Sequence, residues 1–178
     1  MKLYEYKGMK PHISPKAYIQ DGVKIMGAVT IEENVSVWAN VTMRADYFKI
    51  TIKKNTNIQE LTVIHGDTEA NVVIGENTTI GHGCIIHGAK IGNNCLIGMG
   101  STLLNNCVIP DNCLVGAGSL VTGGKEFAEG MLIVGSPAKA IRKVNEQDLA
   151  YMKNNASLYV ELAKMHRAET ILIENDEE

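Results

Sequence analysis

The sequence lacks any apolar run long enough to cross a membrane. A transmembrane helix needs about 20 consecutive apolar residues, and no stretch approaches that length. The amino-terminal segment MKLYEYKGMK also lacks the apolar centre of a signal peptide. We therefore expect a cytoplasmic protein with no membrane partner.

The chain has no excess of positive charge either. It carries 17 Lys and Arg against 20 Asp and Glu, which gives a net charge of −3 and a pI near 6.0. This balance of charge argues against a nucleic-acid partner. A local basic segment, KAIRK at 139–143, is interpreted as a solvated surface. The length of 178 residues and the apolar share of 45% predict one domain, 1–178, with a sizeable core.

Cysteines are few, and no Cys-x-x-Cys spacing is present. Each one stands two residues before a repeated aliphatic residue, and residues two apart on a strand point to the same side. We therefore expect four small core residues rather than disulfides or a metal site. They are Cys84, Cys95, Cys107 and Cys113.

What the sequence does contain is a six-residue repeat of aliphatic residues. Neither a helical stripe nor a two-residue alternation explains this period. It is typical of a parallel β-helix, in which each short strand adds one residue to a continuous core. The inward positions are Ile13, Ile19, Ile25, Ile31, Val37, Met43, Ile52, Ile58, Ile64, Ile74, Ile80, Ile86, Ile91, Ile97, Leu103, Ile109, Val115 and Val121.

These 18 positions make about six three-sided coils, so the β-helix is predicted over about 11–135. The period is broken by three extra residues after Met43 and by about four after Ile64. Gly and Asn crowd the corners, where we expect positive φ angles. A single amphipathic helix is predicted over about 146–170, capped by Asn145 and packed alongside the β-helix.

The coil length allows the positions of three histidines to be predicted. His65 and His87 are 22 residues apart, which is one coil of 18 residues plus the four extra residues of the loop. Each follows an inward isoleucine, so both should point outward in one column, about 4.8 Å apart. Arg44 falls in the same column, one coil earlier. His82 lies on the preceding side near a corner, so it would point away from the pair. The spacing alone leaves a metal site, a pH-sensitive subunit contact and an accidental surface pair open.

The segments MRADY, NIQE, IHG and IGHGCIIHG resemble those of gamma-class carbonic anhydrases and their close homologues. The resemblance spans nearly the whole chain, from Tyr4 to about Arg167. It implies an all-β fold, a left-handed parallel β-helix with one C-terminal α-helix. It also implies a homotrimer that binds zinc at each subunit interface, with Fe²⁺ or Co²⁺ as possible substitutes. By motif, His65 and His87 match the two ligands from one chain, and His82 matches the ligand from its neighbour.

Further site residues follow from the same resemblance. Arg44 and Asp46 match an Arg-x-Asp pair near the subunit contact, although an ordinary ion pair explains them equally well. Gln59 matches a residue that hydrogen-bonds the metal-bound water or the substrate, and Tyr159 matches a tyrosine that approaches the site. Glu60 stands where the family usually has Asp, and it is a candidate for proton transfer.

Two departures from the family bear on proton transfer. The loop after His65 is short, although it keeps Asp67 and Glu69, and Tyr47 replaces a family glutamate. They leave metal binding intact but weigh against fast turnover.

The resemblance predicts reversible hydration of CO₂ to bicarbonate by metal-bound hydroxide. One alternative is a hexapeptide acyltransferase or thioesterase that acts on a coenzyme A ester, with a histidine as general base. Another is a non-catalytic metal-binding trimer that serves as a scaffold.

Overall fold

The computed structural model describes residues 1–68 and 70–171, which form nineteen strands and one helix. The strands are β1 Lys2–Tyr4, β2 His12–Ile13, β3 Tyr18–Ile19, β4 Lys24–Ile31, β5 Ser36–Val37, β6 Thr42–Ile52, β7 Asn57–Ile58, β8 Val63–His65, β9 Val72–Ile74, β10 Thr79–Ile80, β11 Ile85–His87, β12 Lys90–Ile91, β13 Leu96–Ile97, β14 Thr102–Leu103, β15 Val108–Ile109, β16 Leu114–Val115, β17 Leu120–Val121, β18 Met131–Gly135 and β19 Ala138–Lys143. The helix α1 is Glu146–Glu169.

The strands stack into three parallel faces of a solenoid. The histidine face contains β1, β4, β6, β8, β11, β14 and β17 in spatial order. The helix face contains β3, β5, β7, β10, β13, β16 and β18, to which β19 adds antiparallel. The third face contains β2, β4, β6, β9, β12 and β15. β4 and β6 belong to two faces because each runs from one face to the next.

The predicted parallel β-helix is confirmed, and the solenoid has about seven turns. The repeat count gives six because it starts at Ile13 and ends at Val121. In the structure Leu3 pairs with Ile25 at the beginning, and Ile133 pairs with Val115 at the end. Ile133 lies twelve residues after Val121 and so keeps the six-residue spacing, whereas Leu3 lies ten residues before Ile13 and does not.

Sixteen of the eighteen repeated aliphatic residues and the four cysteines are buried in the core, as predicted, whereas Ile13 and Ile19 are only partly buried. Ile58, Ile64, Ile80, Ile86 and Ile97 are fully buried. All four cysteines are free and buried. Burial raises the pKa of Cys84 to about 11 and that of Cys95 and Cys107 to about 12. These thiols therefore stay protonated and act as small apolar residues.

Gly and Asn occupy the corners of the solenoid for two different physical reasons. Asn94 has a φ angle of +53°, the left-handed conformation expected there. Gly98 does not have positive φ. A Cβ at Gly98 would lie 2.4 Å from the backbone nitrogen of Ala117 in the next turn. The expectation of positive φ was therefore wrong for Gly98, where glycine is needed because successive turns approach closely.

Asparagines at one corner form a hydrogen-bonded ladder along the solenoid. Each side-chain Nδ2 donates to Oδ1 of the next member at 3.0–3.3 Å, and the last asparagine donates to Glu129. The members are Asn34, Asn55, Asn77, Asn94 and Asn112. The ladder satisfies polar groups that would otherwise interrupt the stacking of the corners.

The helix α1 lies against the helix face, where it contacts β3, β5, β7 and β10. Asn145 caps it through a capping box with Asp148, as the sequence predicts at this end. Met152, Ala156 and Ala163 are its buried residues. In the part of the chain that the structure describes, no helix is both long and apolar enough to span a membrane.

Candidate functional site

The predicted site residues separate into two groups on adjoining parts of one chain. The ladder half-site lies on the histidine face and consists of Arg44, Asp46, His65 and His87. The corner half-site lies where the helix face meets the histidine face and consists of Gln59, Glu60, His82 and Tyr159.

Strand register builds the ladder half-site. β8 and β11 pair in parallel with His65 opposite His87, and their rings lie 5.3 Å apart edge to face. Met43 pairs with Ile64, so Arg44 lies beside His65 in the preceding turn. Its guanidinium contacts both Nε2 of His65 and the carboxylate of Asp46. The outward column of Arg44, His65 and His87 is therefore as the coil arithmetic predicts.

His65 has an unusual environment. Its ring lies 5.3 Å from that of Phe48, and its Nε2 is 3.9 Å from Oδ2 of Asp46. Among the described residues, its Nδ1 is the buried polar side-chain atom without a hydrogen-bond partner. Burial, followed by the charges of Arg44 and His87, lowers the pKa of His65 below its ordinary value. The imidazole is thereby kept neutral, which is the form that binds metals.

His87 is held by a partner from the next turn. Its Nδ1 lies 2.6 Å from Oδ1 of Asn105, whose Nδ2 donates to the carboxylate of Asp67. An amide oxygen only accepts, so Nδ1 of His87 carries the proton. The loop after β8 thus contributes Asp67 to this arrangement. Glu69 lies outside the described residues.

The corner half-site is built on His82 and Glu60, which occupy equivalent corners in successive turns. Nδ1 of His82 lies 2.6 Å from Oε2 of Glu60. Both side chains are partly exposed, at 47% and 38%. Because a carboxylate accepts the hydrogen bond, Nδ1 of His82 also carries the proton.

Gln59 points away from the solenoid core, as predicted, but α1 covers the face on which it lies, and the residue is 5% exposed. Tyr159 belongs to α1 and packs edge-on against Trp38, with ring centroids 5.5 Å apart. Burial, and then the negative charge of Glu60, raises the pKa of Tyr159. The helix thus brings its tyrosine close to Glu60 at the corner.

The hydrogen bonds make Nε2 the unprotonated nitrogen in all three histidines. Nδ1 of His82 donates to a carboxylate, and Nδ1 of His87 donates to an amide oxygen. The guanidinium of Arg44 can only donate, so Nε2 of His65 is an acceptor. In the neutral imidazoles Nε2 keeps the lone pair. Three such nitrogens, two of them oriented by outer partners, fit the ligand set of a divalent transition metal.

A single chain does not bring the three histidines together. Over residues 1–68 and 70–171, no three His, Cys, Asp or Glu side chains converge on a position that could hold a metal. Arg44 also contacts the Nε2 of His65 that such an ion would use. The predicted site residues of one chain therefore lie in two groups, and neither group brings three such side chains together.

The sequence interpretation missed Asn105 and Asn155. The position of Asn105 could have been found from the strand register, because Ile86 pairs with Leu103, which puts Asn105 close to His87 in the next turn. Asn155 gives no comparable signal. It reaches Thr79 from the helix across a separation of 76 residues, and no repeat relates the two.

Comparisons with known proteins agree with the fold and the repeat. Residues 88–123 match the family model "Bacterial transferase hexapeptide (six repeats)". A "Carbonic anhydrase" of Geobacillus kaustophilus is 37% identical over 93% of this chain and 91% of that protein. "Carnitine operon protein CaiE" of Escherichia coli K12 is 32% identical over 91% of this chain and 83% of that protein.

A solved structure of a hexapeptide transferase family protein from Anaplasma phagocytophilum is 38% identical, with a TM-score of 0.88. The match covers 91% of this chain and 96% of the Anaplasma phagocytophilum chain. The protein is thus a hexapeptide-repeat β-solenoid with a C-terminal helix. The chain belongs to the gamma-class carbonic anhydrase-like family of hexapeptide-repeat proteins. Members of this family include enzymes, and the similarity is compatible with both carbonic anhydrase and acyltransferase chemistry.

Proposed function

We propose that this protein is a metal-dependent carbonic anhydrase-like enzyme that interconverts CO₂ and bicarbonate. The observation that carries the proposal is the common orientation of three imidazoles, each with Nε2 as the acceptor nitrogen. The 37% identity to the Geobacillus kaustophilus protein adds support. Zinc is the expected metal, and Fe²⁺ or Co²⁺ would suit the same ligands.

In this proposal the metal is held between two subunits of a homotrimer. The ladder half-site of one subunit contributes His65 and His87, and the corner half-site of the next contributes His82. The two incomplete halves of each chain then complete three equivalent sites around the ring. A bound zinc ion supplies Lewis acidity, which makes hydroxide available from water near neutral pH.

In this proposal the remaining side chains orient the histidine ligands and the substrate and accept the proton that is released. Asn105 and Glu60 fix the tautomers of His87 and His82, and Gln59 presents its carboxamide to the substrate. In this proposal the exposed carboxylate of Asp67, which lies beside Asn105, accepts the proton that leaves the site and passes it to solvent. Tyr47 is 59% exposed at the position of a family glutamate and does not replace that carboxylate at neutral pH.

The test is elemental analysis of chelator-free protein followed by a stopped-flow assay of CO₂ hydration. We expect about one metal ion per chain and hydration that is lost on chelation and restored by zinc. Protein without bound metal, and without recovery on adding zinc, would overturn the ligand assignment. Full metal content without hydration would favour the scaffold function instead.

A second candidate is acyl transfer from, or hydrolysis of, a coenzyme A ester. The His82–Glu60 pair favours it, because a carboxylate that orients a partly exposed imidazole is also the arrangement of a general base. The match of residues 88–123 to the hexapeptide transferase model agrees with this possibility. Activity on an acetyl-coenzyme A donor in metal-free protein would select this function.

A further inference from the structure

A buried hydrogen-bonded network connects α1 to Gln59. Oγ1 of Thr79 donates to Oδ1 of Asn155 at 2.9 Å, and Nδ2 of Asn57 donates to Oγ1 of Thr79 at 2.8 Å. Nε2 of Gln59 donates to Oδ1 of Asn57 at 3.1 Å. Asn57, Gln59 and Thr79 are each 5% exposed or less. The four side chains come from β7, its following residue, β10 and the helix.

The network couples the directions of its donors. The hydroxyl of Thr79 accepts from Asn57, so its own hydrogen is directed to Asn155. If the amide of Asn57 alone were rotated by half a turn, its NH₂ group would lie against that of Gln59 and its bonds would be lost. They are kept only if Thr79, Asn155 and Gln59 reverse together with it. The orientations of the four side chains are therefore linked.

The observed orientations determine which atom Gln59 presents. Its Nε2 is engaged with Asn57, whereas its Oε1 has no hydrogen-bond partner among the described residues. Among the described residues, the fully buried side-chain polar atom without a partner is Nδ1 of His65. Because Oε1 of Gln59 has no partner and is not such an atom, it must be at least slightly exposed. Gln59 thus keeps an acceptor that the network does not use, and it directly precedes Glu60 in the chain.

We infer that Asn155 is a positioning residue that acts through Thr79 and Asn57 to hold Gln59 with its oxygen toward the reacting groups. An acceptor in that place can take a hydrogen bond from water or from the hydroxyl of bicarbonate. The inference deepens the proposed function and rests on it for its effect on turnover. The orientation of Gln59 itself can be measured independently of activity.

The first readout is nuclear magnetic resonance of the full-length protein labelled with ¹⁵N only in glutamine. The chain has three glutamines, Gln20, Gln59 and Gln147, so three side-chain amide pairs appear and a Gln59→Ala variant assigns one of them. We expect the Gln59 amide hydrogens to exchange slowly with D₂O. In Thr79→Val, which keeps the shape but removes the hydroxyl, exchange should be at least about tenfold faster. Thr79→Ser keeps the hydroxyl and should resemble the wild type.

The second readout is steady-state CO₂ hydration by the zinc-loaded protein. Thr79→Val and Asn155→Leu should lower kcat/KM about tenfold at unchanged metal content. Thr79→Ser and Asn155→Asp each keep the required group and should restore the activity to within about twofold. A merely structural role would be seen as a lower Tm without this rescue.

The outcomes separate the two claims. Unchanged exchange of the Gln59 amide in both Thr79→Val and Asn155→Leu overturns the positioning role, whatever the activity. Faster exchange with unchanged kcat/KM overturns its relevance to turnover. If the zinc-loaded wild type does not hydrate CO₂, the proposed function fails, and the exchange measurement still decides whether Asn155 fixes Gln59.

Discussion

The two half-sites are built in different ways. In the ladder half-site, paired strands of successive turns align His65 with His87, so the geometry follows from the coil length. In the corner half-site, His82 and Glu60 lie outside the strands, and Tyr159 arrives from a helix that is distant in sequence. The corner pair also repeats from turn to turn, because Glu60 and His82 occupy equivalent corners. The ladder half-site is therefore periodic throughout, whereas the corner half-site depends on tertiary packing as well. This difference determines how each half responds to mutation.

The largest effect is expected from an experiment that combines the half-sites of two defective chains. His82→Ala keeps His65 and His87 but contributes no third ligand to the neighbouring subunit. His65→Ala loses one of the paired ligands but still contributes His82. Each variant alone should bind little metal and be inactive. When the two are unfolded together and refolded as mixed trimers, every mixed trimer has one intact interface of three. With equal mixing, metal content should recover to about a quarter of the wild-type level.

The matched control mixes His65→Ala with His87→Ala, and it should restore nothing, because both changes damage the ladder half-site. Native mass spectrometry with one chain isotopically labelled shows whether mixed trimers form. Metal content in the first mixture that stays at the level of the single variants, although mixed trimers are present, would contradict the shared site.

The ladder half-site could be predicted from the sequence more completely than the corner half-site. Every inward position of the repeat follows from the requirement that a short strand add an aliphatic side chain to the core, and this also aligned His65 with His87. The count of turns was short by one, because it stopped at Val121, before Ile133, and missed Leu3 at the beginning of the chain. Leu3 lies ten residues before Ile13 and cannot be recognised from a period of six.

The corner half-site could be predicted only in part. The capped helix and its position alongside the solenoid follow from local sequence, but not which face it covers or the burial of Gln59. The hydrogen bond from Thr79 to Asn155 depends on how the helix is oriented on that face. The resemblance to a family named the residues at the corner, but it did not give the network that orients them.

Outer partners should affect metal affinity in both halves. Asn105→Ala removes the acceptor for His87, and Glu60→Ala removes the acceptor for His82. Each change should weaken zinc binding by about 10- to 100-fold, measured by competition with a chromophoric chelator. Glu60→Gln keeps an acceptor and is the matched control for Glu60→Ala. For Asn105 the control is Asn105→Asp combined with Asp67→Asn, which keeps an acceptor for His87 and a donor between the two side chains. Equal affinities for the alanine variants and the wild type would show that these contacts do not orient the ligands.

The low pKa of His65 makes the stability of the metal-free protein depend on pH. In the folded chain burial and Arg44 lower its pKa, whereas the unfolded chain binds the proton with an ordinary pKa near 6.5. The unfolded state therefore holds more protons just below pH 6.5, and stability falls as the pH drops through that value. The loss levels off below the folded pKa. Urea unfolding from pH 7.5 downward should show a smaller decrease in His65→Gln, and an identical decrease would contradict the assignment.

A residue with a strained backbone lies next to the corner half-site, directly after Glu60 in the chain. Leu61 has a φ angle of +63° and is 65% exposed in the single chain. The equivalent corners carry Asn40 at +60° and Gly83 at +65°, residues that tolerate this conformation. A leucine there is unfavourable by about 1–2 kcal/mol, whereas burying its side chain contributes about 1.5–3 kcal/mol. The strain is therefore offset if the neighbouring subunit covers Leu61.

Leu61→Asn relieves the strain and removes the apolar side chain, so its net effect on association reports whether that contact exists. We expect a trimer that dissociates at a modestly higher protein concentration than the wild type, measured by sedimentation over a dilution series. Asn40→Gly changes an equivalent corner one turn earlier without removing an apolar group, and it should leave the association unchanged. If Leu61→Asn instead raises the free energy of unfolding and leaves the trimer intact, Leu61 does not contact the neighbouring subunit. The corner half-site would then have to meet its neighbour through His82 and Glu60 without this residue.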